Sequence, residues 1–403
     1  MFDIILTILV LIAIAFGHIP KFRMNRTTIA FVGASCFIIS GVIDYEEAIK
    51  AIDMNTIVLL FSMMVINANF SVSGFFGLVS AKILKFADTP KKLLLLIIFL
   101  SGYMSAVLLN DTVVIMFTPI VLYIVLSVNR NPIPYLIGLG LSANIGSAMT
   151  PIGNPQNILI AGYSGLKFLG FLKPLFFVST ISMFFIYIVL SILYKREITS
   201  VKFVLERDIE YRIYKPLLIK SLVSVVIMIF LFLMEVDLSF AALIGASILL
   251  VTRRIKPERV FREVDWSLLV FFASLFIITG SVVVSGIDKK LFLIFENTIF
   301  QNFYYFSFFV AVFSNLVSNV PAVMIMSPII KMAENSQIYW IVTAMSSTFA
   351  GNLTVIGSVA NIIVVEIAKR KGVNISFFEF FKSGFIVTVI TILFGSVWLS
   401  WLF

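Results

Sequence analysis

The chain has 403 residues, of which 60% are hydrophobic and only 13% are charged, and its mean hydropathy is +1.09. This composition excludes a soluble globular protein, and recurring apolar runs of about 15 to 23 residues are typical of a helical protein that crosses the membrane many times. The net charge of +9 does not indicate a nucleic-acid partner, because the basic residues lie in short loops between apolar runs. One cysteine and one histidine exclude a disulfide within the chain and a Cys/His metal cluster.

The hydrophobic runs predict twelve segments that enter the bilayer. In chain order they are 4–19, 27–43, 53–72, 93–127, 133–163, 172–194, 217–234, 238–252, 266–286, 303–333, 337–368 and 380–402. All basic clusters fall on one side of the membrane if 93–127 and 303–333 each return to the face that they left. The pattern therefore predicts about ten crossings with both termini outside, and places the basic clusters in the cytoplasm.

Three stretches of the first half recur in the second half in the same order. Residues 53–74 match 265–286, "NDTVVIMFTP" (110–119) matches "NVPAVMIMSP" (319–328), and "TPIGNPQN" (150–157) matches "TVIGSVAN" (354–361). Each half has five crossings by these spans. Because five is an odd number, the second half begins on the opposite face of the membrane and is inverted relative to the first. We therefore expect a first repeat at 1–194, a basic cytoplasmic linker at 195–216 and an inverted second repeat at 217–403.

Helix-breaking residues interrupt two long apolar segments, 133–163 and 337–368. The residues of interest are Thr150, Gly153, Asn154 and Asn157 in the first break, and Asn352, Thr354, Gly357, Ser358 and Asn361 in the second. A non-helical backbone at membrane depth is stable only when it is buried in protein or lines a wet cavity. Freed carbonyls suit a cation, and the N-terminus of the following half-helix suits an anion, so each break is a candidate binding segment. The alternative is a kink that serves helix packing alone.

The sequence "LLNDTVV" (108–114) divides the segment 93–127 into two halves that are short for crossing helices but suit a re-entrant hairpin. Its tip would hold Asn110, Asp111 and Thr112, and the matching segment 303–333 would place Ser318 and Asn319 at a second tip. The alternative is two crossing helices joined by an exposed turn, which charge bias does not distinguish. A carboxylate at mid-depth costs about 2.5–3.5 kcal/mol unless it is paired or hydrated, so we expect Asp111 to bind a cation or carry a proton.

At these motifs the chain resembles the ion transporter superfamily of arsenite permeases, sodium/proton antiporters and divalent-anion:sodium symporters of the citrate type. The resemblance covers nearly the whole chain, and "GNPQN" (153–157) is most similar to bacterial and archaeal anion permeases. It implies an inverted-repeat transporter with two re-entrant hairpins and two unwound helices, which works as a homodimer by an elevator-type motion. In the symporters the tips carry Ser-Asn-Thr and bind sodium and carboxylate, whereas the tips here read Leu-Asn-Asp-Thr (109–112) and Ser-Asn-Val-Pro (318–321).

We therefore expect a secondary active transporter, not an enzyme, that moves a small anion such as arsenite or a carboxylate, coupled to Na⁺ or H⁺. The alternative within this fold is a Na⁺/H⁺ antiporter with Asp111 as the exchanging carboxylate. A channel or an intramembrane enzyme is a further alternative, but the sequence contains no P-loop, zinc-protease or nucleophile-elbow motif. If Na⁺ is coupled, its expected ligands are Asn110, Asp111, Thr150, Asn319 and Thr354. We expect no other cofactor, no nucleic acid, and a multi-pass location in the cytoplasmic membrane.

Overall fold

The computed structural model describes residues 2–17, 22–202, 213–251, 256–296 and 298–403, so residues 203–212 of the predicted linker lie outside it. All regular structure in these ranges is helical. The first ten α-helices are α1 (Phe2–Phe16), α2 (Arg26–Ile39), α3 (Tyr45–Ala51), α4 (Met54–Ser73), α5 (Phe75–Phe86), α6 (Pro90–Val107), α7 (Asn110–Ser127), α8 (Ile133–Ser147), α9 (Pro155–Ser164) and α10 (Phe168–Leu193). The next ten are α11 (Lys215–Leu233), α12 (Leu238–Leu250), α13 (Pro257–Phe261), α14 (Trp266–Val284), α15 (Ile287–Glu296), α16 (Phe303–Val317), α17 (Asn319–Met332), α18 (Ser336–Ala350), α19 (Val359–Arg370) and α20 (Phe377–Leu402), with a 3-10 turn at Val355–Gly357.

Seven of the described helices, 18 to 26 residues long, are long and apolar enough to cross a bilayer. They are α4, α6, α7, α10, α11, α14 and α20. Five shorter helices, α1, α2, α12, α16 and α17, are also apolar. The described residues thus form the helical bundle of an integral membrane protein, as predicted from the composition.

Four of the predicted apolar segments are each divided into two helices. Segment 93–127 contains α6 and α7, which are separated by Leu108 and Leu109, and segment 303–333 contains α16 and α17. Ser318 separates the second pair with a positive φ of 83°, a backbone angle that few residues other than glycine adopt. Segments 133–163 and 337–368 are interrupted over longer stretches, between α8 and α9 and between α18 and α19.

Four helices, α3, α5, α13 and α15, form where no membrane segment was predicted. They are 5 to 12 residues long and carry charged side chains, so a search for long apolar runs does not detect them. Asp44 begins α3 as its N-cap, because its carboxylate accepts a hydrogen bond from the backbone N–H of Glu46 at 3.2 Å. Helices α5 and α15 each combine an apolar face with lysines, a pattern typical of helices that lie along a membrane surface.

The helices on either side of the breaks pack closely. Helix α6 packs against α8, and both pack against α10, which in turn packs against α20. At the crossing of α6 and α8, a Cβ atom added to Gly146 would lie 2.0 Å from the carbonyl oxygen of Gly102. Small residues of this kind let membrane helices approach backbone to backbone. The hydroxyls of Ser101 and Ser142 add a 2.7 Å hydrogen bond across the same pair of helices.

Candidate functional site

Four helices begin around one cavity of about 200 Å³. Helices α7, α9, α17 and α19 contribute their first residues to its wall, namely Asn110, Asp111, Pro155, Gln156, Asn319, Val320 and Val359, with the N-cap Ser358. Arg26 at the start of α2 and Asp265 just before α14 also line it. Each helix N-terminus carries roughly half a positive charge, and its first N–H groups have no partner within the helix itself. Apart from its two carboxylates, the cavity therefore has an electropositive lining.

The first break, between α8 and α9, is held by two asparagines. Asn154 is the N-cap of α9, and its side chain accepts from the backbone N–H of Asn157 at 2.8 Å. The side-chain amide of Asn157 donates to the carbonyl oxygens of Ser147 at 3.2 Å and Thr150 at 2.9 Å. Both asparagine side chains are fully buried. The carbonyls freed by the loss of helix are thus bonded within the protein by Asn157.

The second break, between α18 and α19, has the same design. The side-chain amide of Asn361 donates to the carbonyl oxygens of Gly351 at 2.9 Å and Thr354 at 3.4 Å. Ser358 occupies the N-cap position of α19, but its side chain makes no bond to the helix that it precedes. The second break therefore achieves with Asn361 what the first achieves with Asn157, without proline.

The two breaks are bonded to each other through their N-cap residues. Asn154 donates to the Thr348 hydroxyl on α18 at 3.3 Å, and Ser358 donates to the Asn144 side-chain oxygen on α8 at 2.9 Å. Gln156 at the start of α9 also donates to Thr348, at 3.2 Å. Each N-cap thus contacts the helix that enters the other break.

Asn144 is the centre of this polar network. Its amide donates to the side-chain oxygens of Asn352 at 2.9 Å and Asn361 at 3.3 Å. Its oxygen accepts from Asn110 at 3.2 Å and from Ser358. One buried side chain therefore connects both breaks with the start of α7.

Gly153 and Gly357 leave no room for a side chain. A Cβ atom on Gly153 would lie 2.3 Å from the Ser147 carbonyl oxygen and 2.6 Å from that of Ser105. On Gly357 it would lie 2.9 Å from the backbone carbonyl oxygen of Gly351. These glycines are required by the close approach of backbone segments within the breaks.

The residues at the starts of α7 and α17 differ in their hydrogen bonding. The backbone N–H of Asn110 donates to the Gly153 carbonyl at 3.0 Å, which ties the start of α7 to the first break. The guanidinium of Arg26 donates to the Ser318 hydroxyl at 3.3 Å, which ties α2 to the start of α17. Among the described residues, no hydrogen bond or ion pair reaches the Asp111 carboxylate, and Asp111 also lines a second cavity with Thr112. Asp111 is therefore available to a cation or a proton.

The predicted site residues fall into three groups. Those that line the cavity at the four helix starts are Asn110, Asp111, Ser318, Asn319, Gly357 and Ser358. Those that shape the breaks by hydrogen bonds are Asn154, Asn157, Asn352 and Asn361. Thr112, Thr150, Gly153 and Thr354 are not part of this cavity wall. Thr112 lines the second cavity, and the Thr150 hydroxyl donates to the Ala106 carbonyl at 2.5 Å.

Sequence reasoning missed five residues of this region, which are Arg26, Asn144, Gln156, Asp265 and Thr348. Gln156 was within a recognised motif, and an asparagine within an apolar helix, as at position 144, was a detectable signal. Arg26 belongs to a basic cluster that indicated only membrane sidedness, and Asp265 begins one of the repeated stretches, so only the fold shows that they reach the cavity.

Interrupted helices that enclose polar cavities within a bundle of apolar helices are typical of membrane transporters. The chain belongs to the citrate transporter family, whose model matches residues 7–342. The resemblance to the ion transporter superfamily predicted from the sequence is thereby confirmed.

Related proteins align with almost the whole length of the chain. It is 29% identical over 412 residues to an uncharacterized transporter of Mycobacterium tuberculosis, with 96% of each protein covered. It is 26% identical over 426 residues to a silicon efflux transporter of Oryza sativa subsp. japonica, covering 88% of this chain and 87% of that one. The crystal structure of the YdaH transporter of Alcanivorax borkumensis has a similar fold, with a TM-score of 0.62 at 12% identity over 99% of this chain and 96% of that one.

Proposed function

We propose that the protein is a secondary active transporter that moves a small oxyanion across the cytoplasmic membrane, coupled to Na⁺ or H⁺. The observation that carries the proposal is the convergence of four helix N-termini on a cavity of about 200 Å³, with Arg26 in its wall. Unbonded N–H groups at helix starts bind anionic oxygens, and a guanidinium adds a full charge and a forked donor.

The chain is proposed to consist of two repeats, and the helices support this in two ways. Helices α11 to α20 follow the order of α1 to α10, with a long final helix of 26 residues in each series. Contacts between the series are reciprocal, because α2 packs on α14 as α12 packs on α4, and α7 packs on α19 as α17 packs on α9. Reciprocal contacts are expected of two units related by a two-fold axis.

The hydrogen bonds of the breaks repeat this reciprocity at the level of side chains. Asn154 and Ser358 occupy matching positions in "TPIGNPQN" and "TVIGSVAN". Their partners Thr348 and Asn144 also match, because each lies six residues before the first threonine of one of these motifs, Thr354 or Thr150. The pairs α6–α7 and α16–α17 are proposed to be the re-entrant hairpins of the two repeats. With five crossings in each repeat, the second is inverted and the 195–216 linker is cytoplasmic. The homodimer and the elevator-type motion remain proposals that rest on the family resemblance.

The substrate class follows from the chemistry of the cavity. Amides and hydroxyls are the most numerous polar side chains in the lining, and Arg26 is the one basic side chain among the described lining residues. This lining suits a small oxygen-rich solute, such as arsenite or a short carboxylate. The rice relative is named as a silicon efflux transporter, and silicon efflux fits a solute of that kind.

Binding and transport of candidate anions by purified protein test the proposal. Arsenite, citrate and sulfate are added singly while the melting temperature is measured, because a ligand of the folded state raises it. The active anion should then accumulate in proteoliposomes under an imposed Na⁺ or pH gradient, and an ionophore that collapses the gradient should abolish accumulation. Protein-free liposomes are the control. If no anion raises the melting temperature and none accumulates, anion transport is refuted.

A Na⁺/H⁺ antiporter is the second candidate, and the unpartnered carboxylate of Asp111 favours it. In that case proteoliposomes without any added anion should dissipate a pH gradient when Na⁺ is supplied outside. Asp111→Asn should abolish this dissipation, since an amide does not exchange protons at neutral pH. Absence of Na⁺-driven pH change in the wild type removes this candidate and leaves the anion transporter.

A further inference from the structure

A third cavity, of about 520 Å³, lies at the end of α14, where this apolar helix reaches the edge of the bilayer. Its wall is formed by α14, by the short helix α3, by the start of α15 and by the ends of α9 and α17. It shares no described lining residue with the two cavities near the helix starts. Its volume falls within the range of roughly 300–1,000 Å³ in which proteins bind small ligands.

A buried carboxylate without a partner lies in the wall of this cavity. Asp288, in the first turn of α15, is only 5% exposed. Its Oδ1 atom has no hydrogen-bond partner in the described part of the chain. Burial of a charged oxygen is unfavourable unless the oxygen is paired or hydrogen-bonded. A ligand with an N–H donor would therefore supply what the protein does not.

A basic side chain lies on another wall of the same cavity. The ammonium of Lys331, at the end of α17, is 5.0 Å from the centre of the Tyr163 ring, and no described carboxylate forms an ion pair with it. Glu47 and Lys50 of α3 complete the charged lining, which thus has two acidic and two basic residues. A balanced lining of this kind fits a zwitterion better than a simple anion or cation.

The remaining wall borders on the lipid. Val283 and Val284, in the last turn of α14, are 45% and 53% exposed although they belong to a helix that is apolar enough to cross the bilayer. Leu293 and Ile294 of the neighbouring helix α15 are also exposed, as expected of a helix that lies along a membrane surface. The charged groups of the cavity therefore lie at the depth of lipid headgroups, with apolar surface beside them for acyl chains.

We propose that this cavity binds the headgroup of a phospholipid with a primary amine, of the phosphatidylethanolamine type. The ammonium of the lipid donates to Asp288, and its phosphate accepts from Lys331. A choline headgroup has the same net charge but no N–H to donate, and a glycerol headgroup has no positive charge. Asp288 therefore selects ethanolamine over both.

The bound headgroup would bridge two pairs of packed helices, α3 with α14 and α9 with α17. It would thus stabilise the contact between these pairs at one face of the membrane. The binding itself does not depend on the proposed transport function. Assignment of the lipid to the outer leaflet rests on the proposed topology, in which α14 ends outside.

The test is the lipid dependence of melting of purified, delipidated protein in detergent. Phosphatidylethanolamine, phosphatidylcholine and phosphatidylglycerol with identical acyl chains are titrated separately, because a ligand of the folded state raises the Tm. In the wild type, half of the rise in Tm should occur at a phosphatidylethanolamine concentration roughly tenfold or more below that required of the other two lipids. This is the scale of one hydrogen bond to a charged group.

Two variants and one control assign this preference to the cavity. Asp288→Asn should abolish the preference for phosphatidylethanolamine over phosphatidylcholine, because the amide carries no charge to pair with the ammonium. Lys331→Gln should weaken the binding of both lipids alike, since both carry the phosphate. Glu296→Gln is the matched control, because Glu296 is the other acidic residue of α15 but is exposed and lies outside the cavity wall. It should keep the wild-type preference.

Equal responses of the wild type to the three lipids overturn the proposal, as does a preference in Asp288→Asn equal to that in Glu296→Gln. If Asp288→Asn does not fold, the exposed Lys331 decides, and an unchanged response of Lys331→Gln to phosphatidylethanolamine overturns the site. Soluble glycerophosphoethanolamine should leave the Tm unchanged at the same concentrations. A full response to it would overturn the assignment to a lipid in favour of a soluble zwitterion. All these measurements are independent of anion accumulation in proteoliposomes, so the lipid site and the proposed function can fail separately.

Discussion

Replacement of Asn144 by alanine should weaken the contact between the two breaks more than any other single truncation in the network. The change removes two donors and one shared acceptor, and therefore four hydrogen bonds, to Asn110, Asn352, Ser358 and Asn361. Polar bonds between membrane helices contribute about 0.6 kcal/mol on average and up to about 1.7. We therefore expect Asn144→Ala to lower the free energy of unfolding by about 2–4 kcal/mol.

The assay is thermal unfolding of purified protein in detergent. For a chain of this size the loss corresponds to a fall of roughly 3–6 °C in Tm, since each kcal/mol shifts the Tm of a large protein by only about 1–2 °C. Asn69→Ala is the control, because in the described part of the chain that buried amide donates only to the Val65 carbonyl, and the Tm of this variant should fall by less than half as much. Equal shifts in the two variants, or an unchanged Tm in Asn144→Ala, would refute the role of Asn144 as the centre of the network.

Three further predictions concern packing, charge and topology. Gly153→Ala should lower the Tm clearly, because a Cβ atom there would lie 2.3 Å from a carbonyl oxygen, whereas Gly170→Ala, with its nearest contact at 3.4 Å, should melt close to the wild type. Arg26→Gln should raise the anion concentration for half-maximal uptake by roughly tenfold or more, through loss of a charge-assisted donor; unchanged uptake would remove Arg26 from the site. In a variant that lacks Cys36, the substitution Ser200→Cys should react with membrane-impermeant thiol reagents only from the cytoplasm. The substitution Asp237→Cys should react with them only from outside. Labelling of both from one side contradicts the inverted repeats.

The positions of the breaks could be predicted because their signals are local. Proline and glycine within an apolar run interrupt a helix wherever they occur. An asparagine directly before a proline is a good N-cap, and α9 does begin at Pro155 with Asn154 as its cap. The division of segment 93–127 was similarly visible in the polar residues that follow Leu109.

The partners of these residues could not be predicted, because they depend on which helices meet. The sequence indicated free carbonyls near Thr150, but it did not show that the Asn157 side chain would occupy them. Arg26 looked like a loop charge, yet it reaches Ser318, which lies 292 residues away along the chain. Asn67 likewise gave no sign that its oxygen would be left unpaired beside Asp111.

The bonds between the two breaks can form only after both halves of the chain have been synthesised. Asn154 leaves the ribosome 194 residues before its partner Thr348, and Asn144 leaves 214 residues before Ser358. At about 5–20 residues per second, the first break therefore spends on the order of 10–40 s in the bilayer before the second is made. During that interval its amides face lipid, water or the insertion machinery. We therefore expect the newly synthesised first half to bind a membrane chaperone, or to stay with the insertion machinery, until the second half has been synthesised.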